Sequence, residues 1–74
     1  MDEMVRLKQF RQKHGLSQAE AAASIGIDQR QWSRYENGKN ELPIRYLREI
    51  CIAHKVSADW LLGLNNEYEE ESKA

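Results

Sequence analysis

Leu16-Ser17-Gln18-Ala19-Glu20 through Tyr35-Glu36-Asn37-Gly38 is the stretch on which the fold turns. It reads as two short helices, each carrying its own cap, with about three residues between them. Ser17 and Glu20 form a Ser-x-x-Glu capping box, in which each side chain satisfies an orphan backbone N–H of the first turn. Asp28 followed by Gln31 repeats the pattern, with Ile27 ahead of it in the staple position. Gly26 stands where a helix C-terminus needs left-handed backbone, and Asn37-Gly38 closes the second helix. Helices joined so tightly cannot lie antiparallel. They must cross steeply, as in a helix-turn-helix.

The second of these helices carries Gln29, Arg30 and Arg34 on one face and Trp32 and Tyr35 on the other. Amides and guanidinia held outward on a helix braced across another suit a DNA major groove. Arg30 and Arg34 are one turn apart and share a face. Each guanidinium fork matches guanine O6 and N7, and the Gln29 amide matches adenine. Standing alone, the arginines would read as solvated charges and Gln29 as an ordinary helix former. The capped helix-turn-helix around them favours base reading.

Composition sets the frame around that motif. Seventy-four residues make one small domain, which buries roughly 60% of its unfolded surface. One proline, four glycines and an abundance of good helix formers point to an all-α chain. The lone Cys51 cannot form an internal disulfide, and its apolar neighbours make it a core thiol. No apolar run is long enough to span a membrane and no signal-peptide pattern opens the chain, so a cytoplasmic protein is expected. The formal net charge is −1, but it is unevenly spread. Residues 1–64 hold ten Lys or Arg against eight Asp or Glu, a balance of +2, and residues 65–74 hold four Glu and one Lys, a balance of −3. A mildly basic domain over 1–64 is thus masked by an acidic, flexible tail over 65–74.

Five helices follow from the hydrophobic spacing. The first is expected over about Asp2 to Lys13, with Met4, Leu7 and Phe10 in a stripe, acids in the first turn, and a stop at His14-Gly15-Leu16. The helix-turn-helix pair comes next. Pro43 suits the first turn of a fourth helix, with Ile44, Leu47, Ile50 and Cys51 at core spacing. Ser57 is the expected N-cap of a short fifth helix carrying Trp60 and Leu61 and ending at Gly63.

Three strings carry a family resemblance: Leu-x-x-Phe-Arg-x-x-x-Gly-Leu-Ser-Gln-x-Glu-x-Ala, Gln-x-x-Ser-Arg-Tyr-Glu-Asn-Gly-Lys, and Val-Ser-x-Asp-Trp-Leu-Leu-Gly. Together they resemble the phage-repressor family of helix-turn-helix regulators, the Xre/Cro type, over residues 4–64. The resemblance implies a compact five-helix, lambda-repressor-like DNA-binding domain. It implies a sequence-specific regulator of transcription, a repressor, that reads operator DNA as a homodimer with its third helix, about residues 28–37. Gln29, Arg30, Ser33 and Arg34 are then the base-contacting residues, and Gln18, Asn37 and Lys39 touch phosphate. An ion pair between Arg11 and Glu36 is implied to tie the first helix to the end of the third.

The chain departs from the family pattern at three positions. Ala21 stands where a large aliphatic is usual, and Trp32 where a medium one is. A volume exchange is expected, with the indole filling the space the alanine leaves; the competing reading is an exposed Trp32 touching sugar or a partner. Glu41, near the end of the third helix, replaces a positive charge and leaves the extent of phosphate contact open.

Other function classes find little support. His14 and His54 are far apart in sequence, with no carboxylate or thiol at ligand spacing, and no glycine-rich phosphate loop is present. No enzyme, metal or cofactor is expected. His14 reads as a helix C-terminal residue favoured by the dipole and His54 as a half-buried core edge. The alternative to DNA reading is a protein-interaction module, such as an antitoxin or partner-docking subunit, presenting Tyr46, Trp60 and Leu64.

Overall fold

The structure, a computed structural model, describes residues 2–65. Two expectations lie outside the described residues: the character of the acidic tail from residue 66 onward, and the side chains of the acids in the first turn. Five helices are present: α1 (Asp2–Lys13), α2 (Gln18–Ser24), α3 (Gln29–Glu36), α4 (Ile44–His54) and α5 (Ala58–Leu61).

Local chemistry sets their ends. The Ser17 hydroxyl accepts from the Glu20 N–H at 3.0 Å, and the Ser17 N–H donates to Glu20 Oε1 at 2.8 Å, a complete capping box. At α3 only half a box forms. Asp28 Oδ1 accepts from the Gln31 N–H at 2.9 Å, but the Gln31 amide donates to the Tyr35 hydroxyl at 3.0 Å rather than turning back. Gln31 lies one turn from Tyr35, and that inward partner wins it. At the end of α2, the Ile27 N–H reaches Ala22 O at 3.1 Å and the Gly26 N–H reaches Ala23 O at 3.1 Å, closing a Schellman motif. Gly26 has φ +78° with open space where a Cβ would stand. The requirement there is backbone conformation alone.

Pro43 sits one residue before α4 in extended backbone, φ −63° and ψ 149°, rather than inside its first turn. The α4 helix ends on Lys55 in the left-handed region, φ 59°, without a glycine. Its core stripe is also shorter than the spacing implied. Ile50 is buried and Leu47 and Cys51 pack against the core, but Ile44 is 80% exposed. At about 100° per residue Ile44 lies on the same side as Cys51, so its exposure comes from its place as the first residue of α4, beyond the end of the core stripe.

The core joins α1, through Leu7 and Phe10, to Trp32 and Tyr35 of α3 and to Trp60 and Leu61 of α5. Trp32 and Ala21 are both fully buried in it, which overturns the reading of an exposed indole. Trp60 is buried too, beneath the Arg6 guanidinium at 4.7 Å, so it does not belong to a surface patch. Tyr46 is half-buried against Tyr35, with ring centroids 6.3 Å apart, while Leu64 is 76% exposed.

The two histidines, distant in sequence, meet. Their ring centroids lie 5.6 Å apart, and both pack on Phe10, at 4.9 Å for His14 and 5.0 Å for His54. The Ser24 hydroxyl donates its one proton to Ala21 O at 2.6 Å, so His54 Nε2, at 2.9 Å, is the donor to that oxygen. Burial holds the His54 pKa below its ordinary value, and His14 adds repulsion. The unfolded chain therefore takes up this proton first. The stability His54 contributes is full above about pH 6.5 and is lost as pH falls through the folded value. Urea midpoints at pH 7.5 and 5.5 are expected to fall less for His54→Gln than for the wild type. An equal fall in both would mean that His54 is not responsible.

Candidate nucleic-acid interface

The packing of α2 against α3 is the most extensive between any two helices of the described residues. It leaves α3 with two distinct faces. Trp32 and Tyr35 are buried, with Gln31 and Glu36 at their flanks. Gln29, Arg30, Ser33, Arg34 and Asn37 fall on the opposite arc at helical spacing, and all but half-buried Ser33 are exposed. A hydrophobic face anchored in the core thus holds a polar face outward as one rigid surface.

Each outward side chain has a definable setting. Arg30 is exposed. Arg34 lies beside Asn40; with that amide turned so that both its ends are satisfied, its oxygen accepts from Arg34 Nε at 3.1 Å and its nitrogen donates to Lys39 O at 2.8 Å. Asn37 Nδ2 donates to the Ser33 hydroxyl at 3.2 Å. Asn37 and Lys39 stand exposed just beyond the helix, and Glu41 is exposed in the connection to α4. Gly38 lets the chain pass close to α1, where a Cβ would run into the Met4 thioether.

Behind this face lies one carboxylate with several donors. Glu36 Oε2 accepts from Arg11 Nε and from Trp32 Nε1, both at 2.6 Å. Glu36 Oε1 accepts from Arg11 Nη2 at 3.2 Å and from Gln18 Nε2 at 3.0 Å. The Arg11 and Glu36 side chains are only 14% and 3% exposed, and Arg11 Nη1 also donates to Leu16 O at 3.0 Å. Burial pushes the Glu36 pKa upward. The hydrogen bonds from Arg11, Trp32 and Gln18 outweigh that effect, so it lies below the ordinary carboxylate value. The Arg11 pKa is raised, chiefly by its hydrogen bond to Glu36.

Gln18, the first residue of α2, joins this centre to the outward face. Its nitrogen is directed at Glu36, and its oxygen accepts from Gln29 Nε2 at 3.5 Å. The structure therefore brings Gln18 and Gln29 together at the adjacent N-termini of α2 and α3. Reading the sequence missed Trp32 and Gln18 as partners of Glu36. Trp32 and Glu36 are one helical turn apart, a spacing that could have revealed the first; the second depends on how α2 crosses α3. Among the described residues, no three His, Cys, Asp or Glu side chains are grouped to hold a metal ion. No helix among them is long and apolar enough to cross a membrane.

Residues 7–61 match the helix-turn-helix family model. The chain is 32% identical over 62 residues to an uncharacterized HTH-type transcriptional regulator, YobD, of Bacillus subtilis (strain 168), an overlap covering 84% of this chain and 55% of that protein. It is 38% identical over 58 residues to the HTH-type transcriptional regulator ImmR of the same organism, covering 78% of this chain and 46% of that protein. The chain thus spans about half the length of the curated relatives it matches.

Proposed function

This chain belongs to the Xre-type helix-turn-helix family of DNA-binding transcriptional regulators, and on that premise we propose that it is a sequence-specific repressor reading the major groove with α3. The observation that carries this reading is the outward arc of α3. Two arginines and a glutamine project from a helix whose other face is locked into the core. Gln29, Arg30, Ser33 and Arg34 take the base edges, while Gln18, Asn37 and Lys39 take phosphates. The protein acts in the cytoplasm as a homodimer on an inverted repeat, with half-sites about one helical turn apart. Residues 1–64 form the DNA-binding domain, and the acidic tail is a separate segment. Neither metal nor cofactor takes part in this mechanism.

Selection of bound duplexes from a random pool, followed by affinity measurements at two salt concentrations, tests the proposal. An enriched inverted repeat is expected. Weak, steeply salt-dependent binding without enrichment would be electrostatic background, and would favour a protein partner instead. On the selected site, Arg30→Ala and Arg34→Ala are each expected to cost about 1–3 kcal/mol and to relax the preference at one base pair. Lys39→Ala should weaken all sequences alike and lower the salt slope by about 1. An arginine variant that weakens every sequence equally would be a phosphate contact, and its assignment here would fail.

A further inference from the structure

We propose that Trp32, a core residue that faces away from DNA, is a positioning residue for DNA binding. It acts through Glu36 on Gln18, and the inference rests on the DNA-reading function proposed above. A carboxylate only accepts hydrogen bonds and offers about four lone-pair directions. Glu36 fills them with Arg11 Nε and Trp32 Nε1 on one oxygen and with Arg11 Nη2 and Gln18 Nε2 on the other. Of these donors the indole is the most firmly held. Trp32 is fully buried, so its N–H cannot turn without opening the core. It pins Oε2 from the same helix and, with Arg11 bridging both oxygens, fixes the plane in which Oε1 meets Gln18.

The consequence is an oriented chain of amides. Because Oε1 is an acceptor, the Gln18 nitrogen must point inward, and the Gln18 oxygen then faces Gln29 Nε2 at 3.5 Å. One N–H of Gln18 remains for an acceptor outside the protein. A phosphate accepts and never donates, so an inverted Gln18 amide would present it with an oxygen and repel it. The same polarity leaves Gln29 with its oxygen and one N–H, the pair an adenine edge requires. Glu36 sets this polarity, and the Trp32 N–H, by fixing where Oε1 lies, sets the place from which Gln18, and through it Gln29, shows those atoms to DNA.

The test is a double-mutant cycle on the selected duplex with Trp32→Phe and Gln18→Ala, each protein first confirmed folded by circular dichroism. Trp32→Phe is expected to weaken binding about fivefold or more when Gln18 is present and hardly at all in the Gln18→Ala background. Equal factors in both backgrounds would make Trp32 a purely structural residue and overturn the inference, leaving the DNA-reading function standing. A wild-type protein that selects no duplex would overturn that function, and the inference with it. If Trp32→Phe fails to fold, benzothienylalanine at position 32 in a Trp60→Phe background keeps the bicyclic ring and removes only the N–H. The same pair of affinities then decides.

Discussion

Glu36→Ala is expected to lower stability by about 2–4 kcal/mol, the larger of the electrostatic effects open to a single substitution here. The loss comes less from the attraction removed than from what is left behind. Arg11 would remain largely buried with its Nε and Nη2 donors deprived of their acceptor, and the buried Trp32 N–H would face apolar surroundings. Each abandoned donor carries a desolvation penalty, about 1–3 kcal/mol and more when charged. For a domain this small, the melting temperature should fall by roughly 10–25 °C. Urea unfolding at pH 7 measures it through a lowered midpoint at unchanged slope. A loss below about 0.5 kcal/mol would mean that the pair behaves as an exposed one.

A companion variant separates charge from hydrogen bonding. Glu36→Gln keeps one acceptor oxygen but places an N–H₂ against donors, so it should fall between the wild type and Glu36→Ala. It should also flatten the acid limb of the stability curve. The folded pKa of Glu36 is lowered, so the unfolded chain binds the proton more readily. The contribution of the carboxylate is present above about pH 4.5 and lost as pH falls through the folded value. The His54 effect belongs to a higher pH window, which keeps the two groups distinguishable in one titration.

How far the chain could be read without coordinates depended on the range of each interaction. Capping acts over three residues and left-handed stops over two, so Ser17, Glu20, Asp28 and Gly26 marked the bounds of α2 and α3. The half-formed box at Asp28 shows the limit of that logic. Gln31 had the right spacing, but Tyr35, one turn on, offered its side chain another partner. Ile44 fitted a list of apolar positions, yet as the first residue of α4 it stands beyond the core and is exposed. Contacts between helices were harder still. Nothing in the spacing of His14 and His54 announced that the ends of α1 and α4 would bring the imidazoles together on Phe10. The outward set on α3 was legible because 3.6-residue periodicity alone sorts Gln29, Arg30 and Arg34 from Trp32 and Tyr35. The orientation of Gln18 was not, because it depends on a carboxylate contributed by another helix.

Trp32→Leu is expected to cost about 3 kcal/mol or more, the largest loss among the core substitutions argued here. The indole is fully buried, and the smaller side chain leaves both a cavity and an unpartnered position on Glu36 Oε2. Ala21→Leu, also at a fully buried site, should cost about 1–3 kcal/mol by overpacking. If the indole fills the space the alanine leaves, the two changes together return roughly the volume each disturbs. The double variant should then be more stable than the sum of the single losses by about 1–3 kcal/mol, read from urea midpoints of all four proteins. Strict additivity would sink the volume-exchange account. Full recovery is not expected, because no aliphatic side chain restores the N–H to Glu36. The shortfall has a functional meaning: α2 and α3 can be repacked with other shapes, while the carboxylate that orients Gln18 still lacks its most rigid donor. A double variant that recovers most of its stability but not its affinity for the selected duplex would separate what holds these helices together from what aims them.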